Sequence, residues 1–132
     1  MESETLAIRE VLENWARATR EGRHDEVLAN HLDDLVIFDV LPPLRYESAA
    51  AYRESWDNWQ PDAQGGMLFE LEDLSISAGD DVAFAFGLLQ CGGTLPGGKT
   101  LRDTVRVTFG LRKQGGRWKV AHQHVSKPYG QG

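Results

Sequence analysis

The sequence predicts an α+β domain in which helices pack on one face of a strongly curved, antiparallel or mixed sheet. Three observations lead to this prediction. An amphipathic helix is expected over residues 5–21. After residue 66, apolar and polar residues alternate along four segments, and short turns containing glycine or aspartate separate most of them. Early helices followed by hairpin-connected strands are typical of this class rather than of a parallel α/β fold.

Length and composition exclude several kinds of protein. A chain of 132 residues fits a single domain over residues 1–132, and a hydrophobic fraction of 41% is ordinary for a globular protein. A net charge of -6 argues against nucleic-acid binding. The acidic start and the lack of a long apolar run predict neither a secretory signal nor a membrane span. The only cysteine, Cys91, fits the cytoplasm and is expected to be inert.

The first helix is the clearest element. Gly22 follows it directly, at the position where a helix commonly ends with a residue of positive φ. A second, shorter helix is expected over residues 26–32, and His24 and His31 are interpreted as surface or cap residues. The buried stripe of the first helix consists of residues at helical spacing: Ile8, Val11, Leu12, Trp15, Ala18 and Thr19.

Five strands and a third helix complete the expected elements. Ser48 is placed to cap the helix, which is predicted over residues 49–60. β-branched and aromatic residues, alternation and turn residues predict the strands. They are expected at residues 35–40, 67–78, 82–91, 100–113 and 117–126.

The last strand contains the most unusual chemistry of the chain. Simple alternation places His122 and His124 on the same face as Trp118. There they would act as hydrogen-bond donors or as a general acid. As metal ligands they would need a third group, Asp39 or His31. The alternative is that they are satisfied structural residues.

The pairing of the last two strands depends on the length of their turn. If residues 114–116 form a three-residue turn, Arg106 opposes His124 and Thr108 opposes His122. Arg106 lies between Val105 and Val107 and cannot be buried unpaired, so it is expected either to form an ion pair or to await an anionic ligand. A turn that differs by one residue would place the histidines opposite Val105 and Val107 instead. Candidate ion-pair partners of the arginine are Asp39, Asp103 and Glu70.

Asp39 is the first candidate for catalysis. It lies in the apolar segment 35–40, where partial burial would raise the pKa of its carboxyl group and make it a competent general base near neutral pH. Two structural interpretations stand beside this one. Asp39 would point outward, or it would hold a backbone N–H group or Arg45.

Several segments together resemble the SnoaL-like, ketosteroid-isomerase-like branch of the NTF2-like superfamily. The resemblance covers about residues 5–128 and rests on VIFDVLPPLRY, ESAAAYRESW, GDDVAFAFG and VRVTFGLRKQGGRWKVAHQHVSKP. The ending is also similar to the association domain of calcium/calmodulin-dependent kinase II. The resemblance implies a cone, in which a bent sheet wraps three helices around a blind, mostly apolar pocket. It also implies homodimers formed through the outer sheet face.

The resemblance also implies roles for single residues. Asp39 occupies a position similar to that of the catalytic base of ketosteroid isomerases. Trp15 stands where those enzymes carry a tyrosine, and no acidic residue lies near Thr108. An enolate would instead be stabilised by a cationic set consisting of Arg106, His122 and His124.

Aromatic residues are candidates for the pocket wall. Aromatic stripes at helical spacing are usually core, and the second interpretation is a wall for a small apolar or ring-containing ligand. The candidate substrate-binding residues are Trp15, Tyr46, Tyr52, Trp56, Trp59 and Thr108.

These residues favour one function and leave others open. We expect a small-molecule-pocket protein that acts as an isomerase, cyclase or dehydratase without a cofactor or metal, with Asp39 as the base. The alternative is a non-catalytic ligand-binding or assembly domain. Epoxide hydrolysis through Asp39, Arg106 and Asp103 is disfavoured, because alternation sets the last two on opposite faces of their strand.

Overall fold

The computed structural model describes residues 2–40, 42–55, 67–94 and 99–129. The element order confirms the α+β prediction. The helices are α1 (Glu2–Glu21), α2 (His24–Val27) and α3 (Ala49–Ser55). The strands are β1 (His31–Phe38), β2 (Met67–Ala78), β3 (Val82–Thr94), β4 (Thr100–Gln114) and β5 (Arg117–Ser126). Within the described residues, no helix is long and apolar enough to cross a membrane.

The five strands form one mixed sheet in the order β1-β5-β4-β3-β2. β1 runs parallel to β5, and every other neighbouring pair is antiparallel. β2 is irregular at Asp73, which has a φ of 55°, and the backbone there comes close to β3. A Cβ atom at Gly87 would lie 2.8 Å from the carbonyl oxygen of Glu72, so only glycine fits. The irregularity bends the sheet, as the cone requires.

The two faces of the sheet differ in what packs against them. The inner face packs against α1, and its residues on β4 are the apolar ones that alternation predicts. The outer face is the opposite one, and on β4 it carries exposed polar residues. The core between α1 and the inner face includes Ile8, Leu12, Trp15, Ile37, Ala85, Leu89, Val105, Val107, Phe109, Leu111, Trp118 and Val120.

The predicted register of the β4–β5 hairpin is wrong for two local reasons. The turn has two residues, Gly115 and Gly116, both with positive φ, so Gln114 pairs with Arg117. Two-residue turns with positive φ match the twist of a hairpin, which explains the preference for glycine there. A bulge then inserts Ala121 opposite the step from Gly110 to Leu111.

The bulge reverses the inside and outside of β5 along its length. Trp118 and Val120 are buried before it, and Gln123 and Val125 are buried after it. The prediction that His122 and His124 share the face of Trp118 is therefore wrong. One extra residue moves every later side chain to the opposite face of the sheet.

The second helix is shorter than predicted. It ends at Val27, and the last two residues expected in it, His31 and Leu32, belong instead to β1. His31 starts that strand with only 5% of its surface exposed, so its interpretation as a surface or cap residue is wrong. The backbone carbonyl of Asn30 accepts a hydrogen bond from the N–H group of Val120 at 2.8 Å, which joins the start of β1 to β5.

The helix ends follow the predictions more closely. Gly22 has a φ of 72° directly after α1. Ser48 Oγ accepts a hydrogen bond from the N–H group of Ala51 at 3.1 Å, which confirms the cap of α3. The described part of α3 ends at Ser55. Trp56 and Trp59 lie outside the described residues.

Candidate functional site

Asp39 follows β1 at one end of the inner face. In β1, Leu35 and Ile37 point to the core, whereas Phe38 contacts histidine rings on the outer face. Burial raises the pKa of the half-buried Asp39 carboxyl group, and the hydrogen bond from the N–H group of Val40, at 2.7 Å, opposes that shift. Among the described residues, Asp39 makes no ion pair, and Arg45 pairs with Glu47 instead.

Three further polar side chains lie at the same end of the inner face. Asp103 on β4 is the register partner of Cys91 on β3. Lys127, just after β5, donates from Nζ to Asp103 Oδ2 at 2.6 Å. Burial raises the pKa of the Cys91 thiol, the charges of Asp103 and Asp39 raise it further, and the ammonium group of Lys127 opposes them. We call Asp39, Cys91, Asp103 and Lys127 the charged cluster.

Aromatic side chains flank this end of the sheet. Tyr46 forms an isolated bridge with Ile37, with two backbone hydrogen bonds of 2.9 Å, and so covers the free edge of β1. The ring of Tyr46 meets that of Tyr52 on α3 edge to face at 5.2 Å. Deeper inside, the ring of Trp15 lies 5.1 Å from that of Phe69. Trp15 is buried, as the core interpretation of the aromatic set expects.

The other predicted catalytic residues lie on the outer face. His124 pairs with Thr108 on β4, and His122 pairs with Gly110. Both imidazoles contact the ring of Phe38, at 5.0 and 5.3 Å, and His122 Nδ1 lies 2.7 Å from the carbonyl oxygen of Val36. The sheet therefore separates these side chains from Asp39, and their catalytic role stays a prediction.

Arg106 does not have the surroundings predicted for it. It is exposed, its register partner is Ser126 rather than His124, and its Nε donates to Ser126 Oγ at 3.1 Å. Asp103 points to the other face and pairs with Lys127. In the described part of the chain, Arg106 forms none of the predicted ion pairs with Asp39, Asp103 or Glu70. It is exposed to water, so its charge does not require an ion-pair partner.

The same separation bears on the metal alternative. Asp39 and His31 lie on the inner side of the sheet, whereas His122 and His124 lie on the outer face. In the described ranges, no group of three or more His, Cys, Asp or Glu side chains is placed to hold a metal ion.

Two features of the inner face were not predicted from the sequence. Lys127 belongs to the charged cluster, although unbroken alternation from Trp118 would have set it on the outer face. Gln123 is buried and its Oε1 lies 3.4 Å from His31 Nε2, while His31 Nδ1 has no hydrogen-bond partner among the described residues. Both errors have one cause, which is the bulge at Ala121; no signal in the sequence marks its position.

Comparison with known proteins agrees with the fold. A family model described as "SnoaL-like domain" matches residues 8–130. No curated protein matches the chain. A solved NTF2-like protein of unknown function from Pseudomonas putida is 32% identical, with a TM-score of 0.87 over 98% of this chain and 89% of its own.

More distant solved structures share the fold. A ketosteroid isomerase-like protein from Erwinia carotovora is 19% identical, with a TM-score of 0.75 over 97% of this chain and 100% of its own. The association domain of CaMKII from C. elegans is 14% identical, with a TM-score of 0.76 over 96% of this chain and 97% of its own. At this identity the likeness establishes the fold and leaves the reaction open.

Proposed function

The chain belongs to the SnoaL-like domain family, and from that premise we propose that it is an enzyme that moves a proton beside a carbonyl group. Asp39 is the general base, and the substrate is a small apolar or ring-containing molecule. The product is that of an isomerase, cyclase or dehydratase, and no cofactor takes part. The unpaired Cys91 fits a reducing compartment, so we place the enzyme in the cytoplasm.

The observation that carries this proposal is the state of Asp39. Burial raises the pKa of its carboxyl group, and no cation among the described residues pairs with it. A carboxylate whose pKa is raised toward the working pH binds a proton more strongly, which is the property that a general base needs. A structural carboxylate would be expected to sit in an ion pair, which lowers the pKa. Among the relatives, the ketosteroid isomerase-like name is in keeping with such chemistry.

The proposal is tested by carbonyl-α proton exchange in D2O, followed by NMR. Cyclic enones and β-dicarbonyl compounds serve as probes, with the wild type, Asp39→Asn and Asp34→Asn. Asp34 is an exposed aspartate of the same β1 strand and so provides the matched control. We expect Asp39→Asn to lose about 10²–10⁴-fold of the exchange rate and Asp34→Asn to keep it. Exchange that persists in Asp39→Asn would exclude Asp39 as the base.

We also propose that two copies of the chain form a dimer through their outer faces. Val82, Phe84 and Phe86 on β3 are 59%, 51% and 49% exposed, and the two rings stack with centroids 6.4 Å apart. Exposed apolar surface of this kind is typical of an interaction site. Dimerisation through this face would suit an assembly domain as well as an enzyme.

Charge favours a second copy of the same chain as the partner. On the outer face, β3 lies between β2, with exposed Glu70 and Glu72, and β4, with exposed Arg102 and Arg106. A two-fold axis along β3 would set the arginines of one copy over the glutamates of the other. Opposite charges would then meet beside Leu88, at one end of the apolar patch.

Sedimentation velocity over a range of protein concentrations tests the dimer. We expect the wild type to associate and Phe86→Glu to remain monomeric. Leu44→Glu places the same charge on a residue that is 91% exposed and lies outside the sheet, and it should associate like the wild type. A wild type that stays monomeric at every concentration would contradict the proposal.

A further inference from the structure

Lys127 occupies a position that the proposed proton transfer can use. It is the residue directly after β5, and its Nζ donates a hydrogen bond to Asp103 Oδ2 at 2.6 Å. The two side chains are 32% and 46% exposed, so this ion pair lies at the surface of the charged cluster rather than in the sealed core. An ammonium group carries three N–H donors, and Asp103 takes one of them in the structure. The others point to no acceptor among the described residues.

Strand pairing brings Lys127 and Asp39 to one patch. β1 runs parallel to β5 with Phe38 as the partner of His124. Continued by one residue, this register sets Asp39 beside Val125, and Lys127 lies two residues further along on the same face. β4, which carries Asp103, lies between β5 and the β3 strand that carries Cys91, and the charges of Asp39 and Lys127 both act on the Cys91 thiol. The parallel register of β1 and β5 therefore places Asp39 and Lys127 at the same end of the inner face.

We propose that Lys127 is the cation that stabilises the substrate oxygen when Asp39 removes the neighbouring proton. This inference rests on the proposed function and adds a catalytic residue to it. The Asp39 carboxylate takes the proton from the α carbon, and the C–H electron pair forms a C=C bond. The carbonyl π electrons move to the oxygen, where N–H groups of Lys127 donate hydrogen bonds. The resulting carboxylic acid of Asp39 then returns the proton to carbon.

Asp103 is the positioning residue in this arrangement. The flexible side chain of a lysine has many rotamers, and the bond of 2.6 Å to Asp103 restricts it before a substrate arrives. A donor that is already in place when charge develops lowers the barrier more than one that must reorganise. Lys127 thereby supplies the role for which Arg106, His122 and His124 were predicted.

The charges of the cluster also define a substrate class. Two carboxylates, Asp39 and Asp103, stand against the single ammonium group of Lys127, so the patch carries one net negative charge. Such a patch repels an anionic substrate and accepts a neutral carbonyl compound, whose charge appears only in the transition state. We therefore expect neutral ketones and enones to be better substrates than carboxylated ones.

The kinetic test compares Lys127→Met and Lys127→Arg with the wild type. In Lys127→Met, kcat for α-proton exchange should fall about 10²–10³-fold while KM changes little, because the cation acts on the transition state. Lys127→Arg keeps the charge and should recover part of the rate. Lys119→Met, on the outer-face side of β5, is the control and should match the wild type. Full activity in Lys127→Met would overturn the inference.

A second measurement separates catalysis from structure and does not depend on turnover. Bound 4-nitrophenol reports its ionisation through the absorbance of the phenolate, which is a stand-in for the enolate oxygen. Asp39→Asn, in which the patch is neutral, should bind the phenolate and lower its pKa. The wild type should do so more weakly, because its Asp39 carboxylate repels the anion, and adding Lys127→Met to Asp39→Asn should abolish the effect. Lost exchange with unchanged phenolate binding would assign Lys127 a merely structural role. If the wild type exchanges no α proton, the proposed function fails, and Lys127-dependent phenolate binding would still establish an oxyanion site.

Discussion

The inner and outer faces of the sheet are built from the same strands but have different surroundings. On the inner face, Phe109 is fully buried against Trp15, and the charged cluster occupies one end. On the outer face, Phe84 and Phe86 are about half exposed, and no described part of the chain covers them. The apolar pattern alone therefore does not reveal which face is the core. α1 decides it, because its apolar stripe covers the inner face.

The difference also explains which parts of the fold could be predicted. Helix and strand periods are local properties, so α1, β2, β4 and β5 were located within a few residues of their observed bounds. The family resemblance supplied the curvature and the sheet as a whole. The second helix was placed wrongly, because a four-residue element and the strand after it share one short apolar pattern, and tertiary packing decided between them.

The candidate site could be predicted from the sequence only in part, because the faces of β5 depend on one residue, the bulge at Ala121. Asp39 was recognisable because a carboxylate in an apolar segment is unusual. Its position at the end of β1 also does not depend on how the strands pair. His122, His124 and Lys127 were assigned to faces by counting alternate residues from Trp118. The bulge at Ala121 shifts that count by one, and the sequence contains no local signal for it.

The largest effect should come from one pair of substitutions on opposite faces. Phe109→Ala opens a cavity beside Trp15 and should lower the free energy of unfolding by about 3–5 kcal/mol. Phe86→Ala removes a ring of the same kind that is 49% exposed, and it should change the stability of the monomer by no more than about 0.5 kcal/mol. Urea unfolding at low protein concentration measures both. Equal losses would mean that something covers the outer face of the monomer.

The next effect is the acid sensitivity of the inner face. Burial lowers the pKa of His31 from 6.5 to about 4. The unfolded chain therefore takes up a proton at a higher pH than the folded chain, so acid favours unfolding. As the pH falls from about 6.5 to 4, about 3 kcal/mol of stability should be lost through this residue.

Urea unfolding at several pH values between 7 and 4 checks this prediction. His31→Leu should flatten the profile over that range, although it lowers stability at neutral pH because Gln123 loses its partner. His124→Gln changes an exposed imidazole of the outer face and should leave the slope unchanged. An equally steep profile in His31→Leu would assign the acid sensitivity to other groups.

The smallest effect concerns the charged cluster, where stability and function should oppose each other. Burial raises the pKa of Asp39, so the folded chain holds this proton more tightly than the unfolded chain does. The charged form of Asp39 therefore costs stability, and this cost appears as the pH rises through the raised pKa.

Asp39→Asn keeps an oxygen for the N–H group of Val40 and removes the charge. It should raise the melting temperature slightly at pH 7, and the gain should vanish at low pH, where Asp39 is protonated. Thermal unfolding of both chains at the two pH values measures this difference. A melting temperature that falls at pH 7 would indicate that the carboxylate stabilises the fold, and would favour the binding or assembly function over catalysis.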